Sequence, residues 1–164
     1  MTAFHTTIDT PAGPFTVLAA ADAVLASGWT DTLDDLMPQV HPSLRPADPR
    51  PSADLGELTK AVHAYLDGDL TAPMTVPVRQ RGGEFLGHAW QVLREVAPGA
   101  PVTYTDYAVL AGRPAAVRAA AQACARNAAA LFVPCHRVVR IGGALGGFRW
   151  GLPVKRWLLD HEAA

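Results

Sequence analysis

The sequence predicts an α/β chain, with a small α/β unit over residues 1–80 followed by a mostly helical unit over residues 81–164. Three features point there. The first eighty residues alternate short apolar runs with turn residues, as strands do. The second half places apolar groups at helical spacing. Charge divides at the same point: residues 1–80 carry four basic and ten acidic groups, a net of −6, and residues 81–164 carry ten and five, a net of +5. The overall charge of −1 would argue against a nucleic-acid partner, but the division raises the case for an anionic partner on the second half. From Tyr107 to Leu159 there are eight Lys or Arg and no Asp or Glu. On charge alone, a solvated basic face explains this equally well.

Composition narrows the class. Of 164 residues, 49% are apolar and 18% charged, which suits a packed core and not a disordered chain. No apolar run approaches the ~18 residues of a membrane-spanning helix. The start, MTAFHTTIDTPAG, lacks the basic and apolar regions of a signal peptide, so a cytoplasmic protein with no membrane partner is expected. Two cysteines, Cys124 and Cys135, are too few for a disulfide framework or a cysteine-rich zinc site. His5, His41, His63 and His88 have no ligand spacing, so no metal is expected.

Pro11-Ala12-Gly13-Pro14 breaks the first apolar run, and Phe15–Ala19 and Val24–Trp29 read as strands of a hairpin or meander. Residues 30–40 fit a short helix. Residues 41–53, with prolines at 42, 46, 49 and 51, read as an extended loop. Leu55, Leu58, Ala61, Val62 and Tyr65 mark a helix within residues 54–66, and residues 75–78 suggest one more strand. In the second half, Phe85, Ala89, Trp90, Leu93 and Val96 form a helical stripe that Ala97-Pro98-Gly99 stops. Thr103 can cap a short helix over residues 104–111. Gly112 turns the chain, and Pro114 suits the first position of a helix running to about residue 125. Two short helices around a glycine turn outline a helix-turn-helix. Eleven of the twenty residues from Ala111 to Ala130 are alanine. They favour a helix, and they would also let its backbone approach a surface closely, with Arg118 projecting.

The chemistry concentrates at Leu131-Phe132-Val133-Pro134-Cys135-His136-Arg137-Val138. Three apolar residues and a proline read as a buried, strand-like run that delivers a Cys-His pair. A thiol is mostly protonated at neutral pH and needs a base to become a nucleophile, which an imidazole can supply. Glu162 is a candidate carboxylate to orient that imidazole. Taken without context, a neighbouring Cys-His pair reads more readily as an inert buried cysteine than as a catalytic one. Cys124, on the alanine-rich helix, reads as packing.

The segment resembles the O6-alkylguanine-DNA alkyltransferases, also called methylated-DNA–protein-cysteine methyltransferases. The likeness rests on Pro134-Cys135-His136-Arg137-Val138, Asn127, Arg118, Thr103-Tyr104, Gly146-Gly147-Phe148-Arg149-Trp150-Gly151 and the stretch from Lys155 to Glu162. It spans Phe85 to Glu162, about half the chain. It implies a ribonuclease-H-like N-terminal sheet and a helical C-terminal domain with a helix-turn-helix. It also implies single-turnover transfer of an alkyl group, mainly methyl, from O6-alkylguanine in double-stranded DNA to Cys135. In that scheme His136 acts as base through a water and Glu162 orients it. Tyr104 donates near guanine N3, and Asn127 braces the turn that carries the cysteine. The target nucleotide must leave the stack. Arg118 would fill its place from the minor groove, with Ala116, Val117, Ala119 and Ala121 packed close and Tyr104 against the phosphate. Arg137 joins the DNA-facing cations. Val138, Phe148, Arg149 and Trp150 line the guanine pocket, with the Arg149 backbone amide facing O6. No cofactor is implied. A monomer is expected, with cooperativity along DNA left open.

Three departures from the family pattern stand out. Ala128 replaces a frequent proline, Phe148 replaces a frequent tyrosine, and Trp150 stands where some members have glycine and should narrow the pocket. Some members hold a structural zinc with N-terminal cysteines that this chain lacks. Among rival readings, a lesion binder without repair activity would have another residue at position 135. A major-groove transcription factor would need bulkier polar residues on its recognition helix. A cysteine hydrolase would turn over repeatedly.

Overall fold

The structure, a computed structural model, describes residues 2–164. Its architecture is mixed α/β, in two compact units. One unit runs to Arg81 and also includes Ala128–Phe132; the other comprises Gly82–Asn127 and Val133–Ala164. The five residues 128–132 thus pack with the N-terminal half, whereas the charge division at residue 80 assigns them to the second.

The first unit is built on an antiparallel meander. Strands β1 (Ala3–Thr10), β2 (Gly13–Ala20) and β3 (Ala23–Gly28) pair in sequence, with a register shift at Leu18/Ala19. A two-residue strand, β4 (Arg50–Pro51), adds parallel to β1, giving the order β3-β2-β1-β4. Strands β2 and β3 are nearly continuous apolar runs because most of their residues are buried, including Phe15, Val17, Leu18, Val24, Leu25 and Ala26. Phe15 packs against Trp29 at 4.5 Å and Phe132 at 6.3 Å between ring centroids. Helix α1 (Glu57–Leu66) buries Leu58, Ala61, Val62 and Tyr65, the stripe expected from the spacing.

Two expected elements are replaced. Residues 30–40 form two separate 3-10 turns, Leu33–Asp35 and Met37–Gln39, and not one helix; Pro38, which has no N–H to give, sits in the second. The strand expected at residues 75–78 is a 3-10 turn, Ala72–Thr75, followed by a single bridge from Val78 to Val24. Prolines at 73 and 77 deny that stretch a ladder.

Residues 131–133 are buried as expected but are not a strand. Leu131 has a left-handed backbone, φ 76°, which ends any extended run. Residues 128–132 form a turn held by Ser27. Its N–H donates to the Ala128 carbonyl (2.8 Å), its hydroxyl donates to the Ala130 carbonyl (2.7 Å), and its carbonyl accepts from Ala130 N–H (3.3 Å).

In the second unit, helices α2 (Glu84–Arg94), α3 (Tyr104–Leu110), α4 (Val117–Ala125) and α5 (Leu152–Ala163) surround a two-stranded parallel sheet of β5 (Val102–Thr103) and β6 (Val138–Val139). Thr103 caps α3 by accepting from Asp106 N–H at 3.0 Å. Gly112, at φ 85°, turns the chain toward α4. Pro114 lies in the turn before α4, not in its first position, so the helix begins three residues later than expected. Two aromatic donors fasten α3 and α4 to α2: Tyr107 Oη donates to Ala89 O (2.7 Å) and Trp90 Nε1 to Ala123 O (2.9 Å), both buried. No helix among the described residues is long and apolar enough to cross a membrane.

Ala89 O lies inside α2, where it can also accept a helical N–H, so losing the Tyr107 hydroxyl strands no buried carbonyl. Tyr107→Phe is therefore expected to cost about 1 kcal/mol, read as a lower urea midpoint with an unchanged slope.

Candidate active site

Pro134 precedes a single 3-10 turn, Cys135–Arg137, whose three residues are all buried. Cys135 is buried, 9% exposed. Asn127 Nδ2 donates to Val133 O at 2.8 Å, closing the chain just before the turn, and its side chain also hydrogen-bonds the Cys135 thiol. Burial pushes that thiol up from its ordinary value, against the lowering effects of Asn127 and of the Lys155 and Arg149 charges. The group is thus a protonated thiol at neutral pH and needs a base.

His136 and Arg137 both reach Glu162 on α5. His136 Nε2 lies 2.6 Å from Glu162 Oε2. Arg137 Nε donates to Oε1 at 2.8 Å and Nη2 to Oε2 at 3.2 Å, while Nη1 holds Val96 O at 2.8 Å. Burial would raise the Glu162 carboxyl, but the hydrogen bonds from His136 and Arg137 hold it down at about 2. Burial lowers His136 despite Glu162, with the positive charges of Arg137 and Lys155 adding to the effect. A neutral imidazole whose Nε2–H donates to a carboxylate carries its lone pair on Nδ1. His136 Nδ1 is buried and has no hydrogen-bond partner among the described residues. It is a base with its accepting atom unused.

The β5–β6 pairing brings Val102 and Thr103 alongside Val138 and Val139, so Tyr104 starts α3 near the turn that carries the cysteine. Its hydroxyl is pushed up to about 12, chiefly by burial and by the two thiols, with Arg140 opposing. It is a donor at neutral pH. Gly146, at φ 75°, closes on it: a Cβ there would stand 3.0 Å from Tyr104 Cε2.

On α4, Ala120 and Ala123 are buried and Arg118 is exposed in the first turn, with Ala116, Val117, Ala119 and Ala121 half-buried around it. Val138 is buried, Phe148 and Trp150 are half-buried, and Arg149 is exposed on the glycine-rich stretch after β6. Arg137 corrects the expectation of a DNA-facing cation. At 1% exposure, with its guanidinium committed to Glu162 and Val96, it belongs to the carboxylate's support.

The second half, residues 84–164, matches the family model described as 6-O-methylguanine DNA methyltransferase, DNA binding domain. Over 158 residues the chain is 30% identical to a methylated-DNA–protein-cysteine methyltransferase of Shigella flexneri, covering 94% of this chain and 92% of that one. The chain belongs to the methylated-DNA–protein-cysteine methyltransferase family. It is also 48% identical over 91 residues to the bifunctional transcriptional activator/DNA repair enzyme Ada of Escherichia coli, a match covering 56% of this chain and 26% of the relative. Against several curated relatives the chain spans about a quarter to under half of their length, 26%, 38% and 44%. A crystal structure of Mycobacterium tuberculosis OGT in complex with DNA superposes with a TM-score of 0.82 at 28% identity, covering 98% of this chain and 92% of that one.

One buried group beside this family's motif had not been singled out as functional. Lys155 is fully buried, its Nζ donating to Val138 O (2.7 Å) and Gly147 O (3.2 Å) and lying 6.0 Å from the Tyr104 ring centre. Its place on the stripe Val154, Lys155, Leu158, Glu162 was the available signal: two charged residues on the buried face of one helix.

These pairings make folding pH-dependent. Glu162 is depressed from 4.5 to about 2, so its contribution is complete above about 4.5 and is lost as pH falls toward 2. His136, lowered from 6.5, takes a proton more readily when unfolded, so stability also begins to fall below about 6.5. The thermal midpoint should therefore decline from about pH 6.5 downward. Glu162→Gln should abolish the lower part of that decline. At neutral pH it should cost about 3–5 kcal/mol, because Arg137 is left buried without its counter-charge.

Proposed function

We propose that this chain repairs DNA by direct reversal, moving the alkyl group of O6-alkylguanine in duplex DNA onto Cys135 in a single turnover. The observation that carries the reading is His136: Nε2 bound to a carboxylate, and Nδ1 buried with no hydrogen-bond partner among the described residues, one residue from a protonated thiol. In the reaction the Sγ–carbon bond forms as the carbon–O6 bond breaks. The thiol proton passes, through a water, to His136 Nδ1. Tyr104 Oη donates a hydrogen bond to guanine N3 as negative charge develops on the leaving base, which then takes up one proton; overall the thiol proton ends on guanine, and His136 and Tyr104 return to their starting protonation states. The thioether is stable, so the protein is consumed. Family membership supports the reaction class, and the relatives' names specify methylated DNA and a protein cysteine.

DNA contact is assigned to α4. Its small side chains let the backbone approach the minor groove, where Arg118 would occupy the space of the flipped nucleotide. Readout there is nearly degenerate, which suits lesions in any sequence. The sequence α3, glycine turn, α4 supports a helix-turn-helix, and the β3-β2-β1-β4 sheet supports a ribonuclease-H-like N-terminal domain. The protein is read as a cytoplasmic monomer. A lesion binder without repair is disfavoured by Cys135 itself.

Incubation with duplex DNA containing O6-methylguanine should add about 14 Da, one methylene, to Cys135 in the intact mass, with no turnover. Cys135→Ser should bind that DNA and gain no mass. DNA bound by the unmodified chain without any adduct would overturn the reading. Trp150 on the pocket wall should make inactivation by O6-benzylguanine slow, and rapid labelling would contradict that assignment. Transfer should be level near neutral pH and fall on acidification, as His136 takes a proton below its ordinary range.

A further inference from the structure

The stretch from Arg140 to Gly151 holds five glycines, at 142, 143, 146, 147 and 151, and so has little stiffness of its own. Local hydrogen bonds and bonds to α5 hold it: Arg140 N–H to Ala144 O (2.9 Å), Gly143 N–H to Arg140 O (3.3 Å), Gly151 N–H to Phe148 O (3.1 Å), Lys155 N–H to Gly151 O (3.2 Å) and Lys155 Nζ to Gly147 O (3.2 Å). The Arg149 side chain makes the connection to α4. Its Nη2 donates to Ala125 O at 2.5 Å and its Nη1 to Asn127 O at 3.4 Å. Ala125 is the last residue of α4, where carbonyls lack helical donors and the helix dipole favours a cation. Asn127 is the residue whose side chain holds Val133 O. The two neighbours of Arg149 are Phe148 and Trp150.

From this geometry we infer that Arg149 is a positioning residue for transfer. Its guanidinium latches the glycine-rich wall of the guanine pocket onto the C-terminal end of α4, and so sets which O6 substituents reach Cys135. The inference rests on the repair reading above, but assigns to the Arg149 side chain a role separate from that of its backbone amide. A lysine could cap one of the two carbonyls but not both in a fork.

The test compares the wild-type chain, Arg149→Ala and Arg149→Lys. Adduct formation on Cys135 is timed by intact mass, with O6-methylguanine duplex DNA and with free O6-benzylguanine, and folding is checked by circular dichroism. Displacing reacting groups by about an ångström can cost on the order of a hundredfold. Arg149→Ala should therefore lose about tenfold to a hundredfold on the methylated duplex. Its benzyl-to-methyl rate ratio should rise by about tenfold as the wall loosens, a gain of about 1.4 kcal/mol in relative barrier. Arg149→Lys should fall between the two on both measures. If Arg149→Ala does not fold, the rate ratio of Arg149→Lys decides in the same way. An unchanged ratio, whether the rates are kept or fall together, overturns the latch and leaves the repair reading intact. A wild-type chain that forms no adduct overturns both.

Discussion

The carboxylate of Glu162 takes hydrogen bonds from a histidine and an arginine that are adjacent in sequence but serve different ends. Arg137 contributes charge and, through Val96 O, a link to the chain after α2. His136 contributes a tautomer. Neither the Arg137 guanidinium nor the Glu162 carboxylate could be buried alone, since an unpaired buried charge carries a large desolvation cost. Together His136 and Arg137 make a neutral-to-cationic relay that holds the 3-10 turn against α5. That attachment fixes the backbone of the turn and so the point from which the Cys135 side chain departs.

The surroundings of the thiol are arranged around an uncharged ground state. Burial keeps Cys135 protonated, and it keeps Tyr104 protonated beside it. Lys155, Arg149 and the Asn127 amide act in the opposite sense, favouring the anion. The site therefore holds its positive charge and its donor in place before the sulfur ionises. This is electrostatic preorganisation of the kind that lowers barriers without reorganisation at the moment of reaction. Lys155 is fully buried with the Val138 and Gly147 carbonyls as its hydrogen-bond acceptors, and burial lowers its ammonium from the ordinary value.

Local pattern carried much of the fold. The meander, α1, α2, α3 and the Thr103 cap follow from periodicity and capping chemistry that act over a few residues. What failed depended on distant partners. Leu131-Phe132-Val133 has strand-like composition, yet its backbone is decided by Ser27, about a hundred residues earlier, and by a left-handed Leu131. Residues 75–78 lost their strand to flanking prolines that a short apolar run disguises. Pro114 suited a helix start, but the turn from Gly112 extends past it to Ala116. Within the site, Cys135, His136 and Glu162 were legible as chemistry. Arg137 was not, because a charge in a sequence carries no mark of whether a carboxylate 25 residues on will bury it. The side-chain contacts of Arg149 and Lys155 were not legible for a related reason: their acceptors are backbone carbonyls, which no residue type announces, and only the place of Lys155 on the buried stripe of α5 marked it.

The burial of Cys135 has a consequence outside the reaction. Oxidation and adventitious alkylation both proceed through thiolate, and both need access to sulfur. A cysteine that is 9% exposed and held in the thiol form offers little of either to peroxide or to small electrophiles in solution. Such a protein can wait intact through an oxidising or alkylating episode, its nucleophile shielded until a ligand that fits the pocket reaches it. On the proposed single-turnover reading, where one bond consumes the thiol, this chemical dormancy sets how much of the protein stays competent.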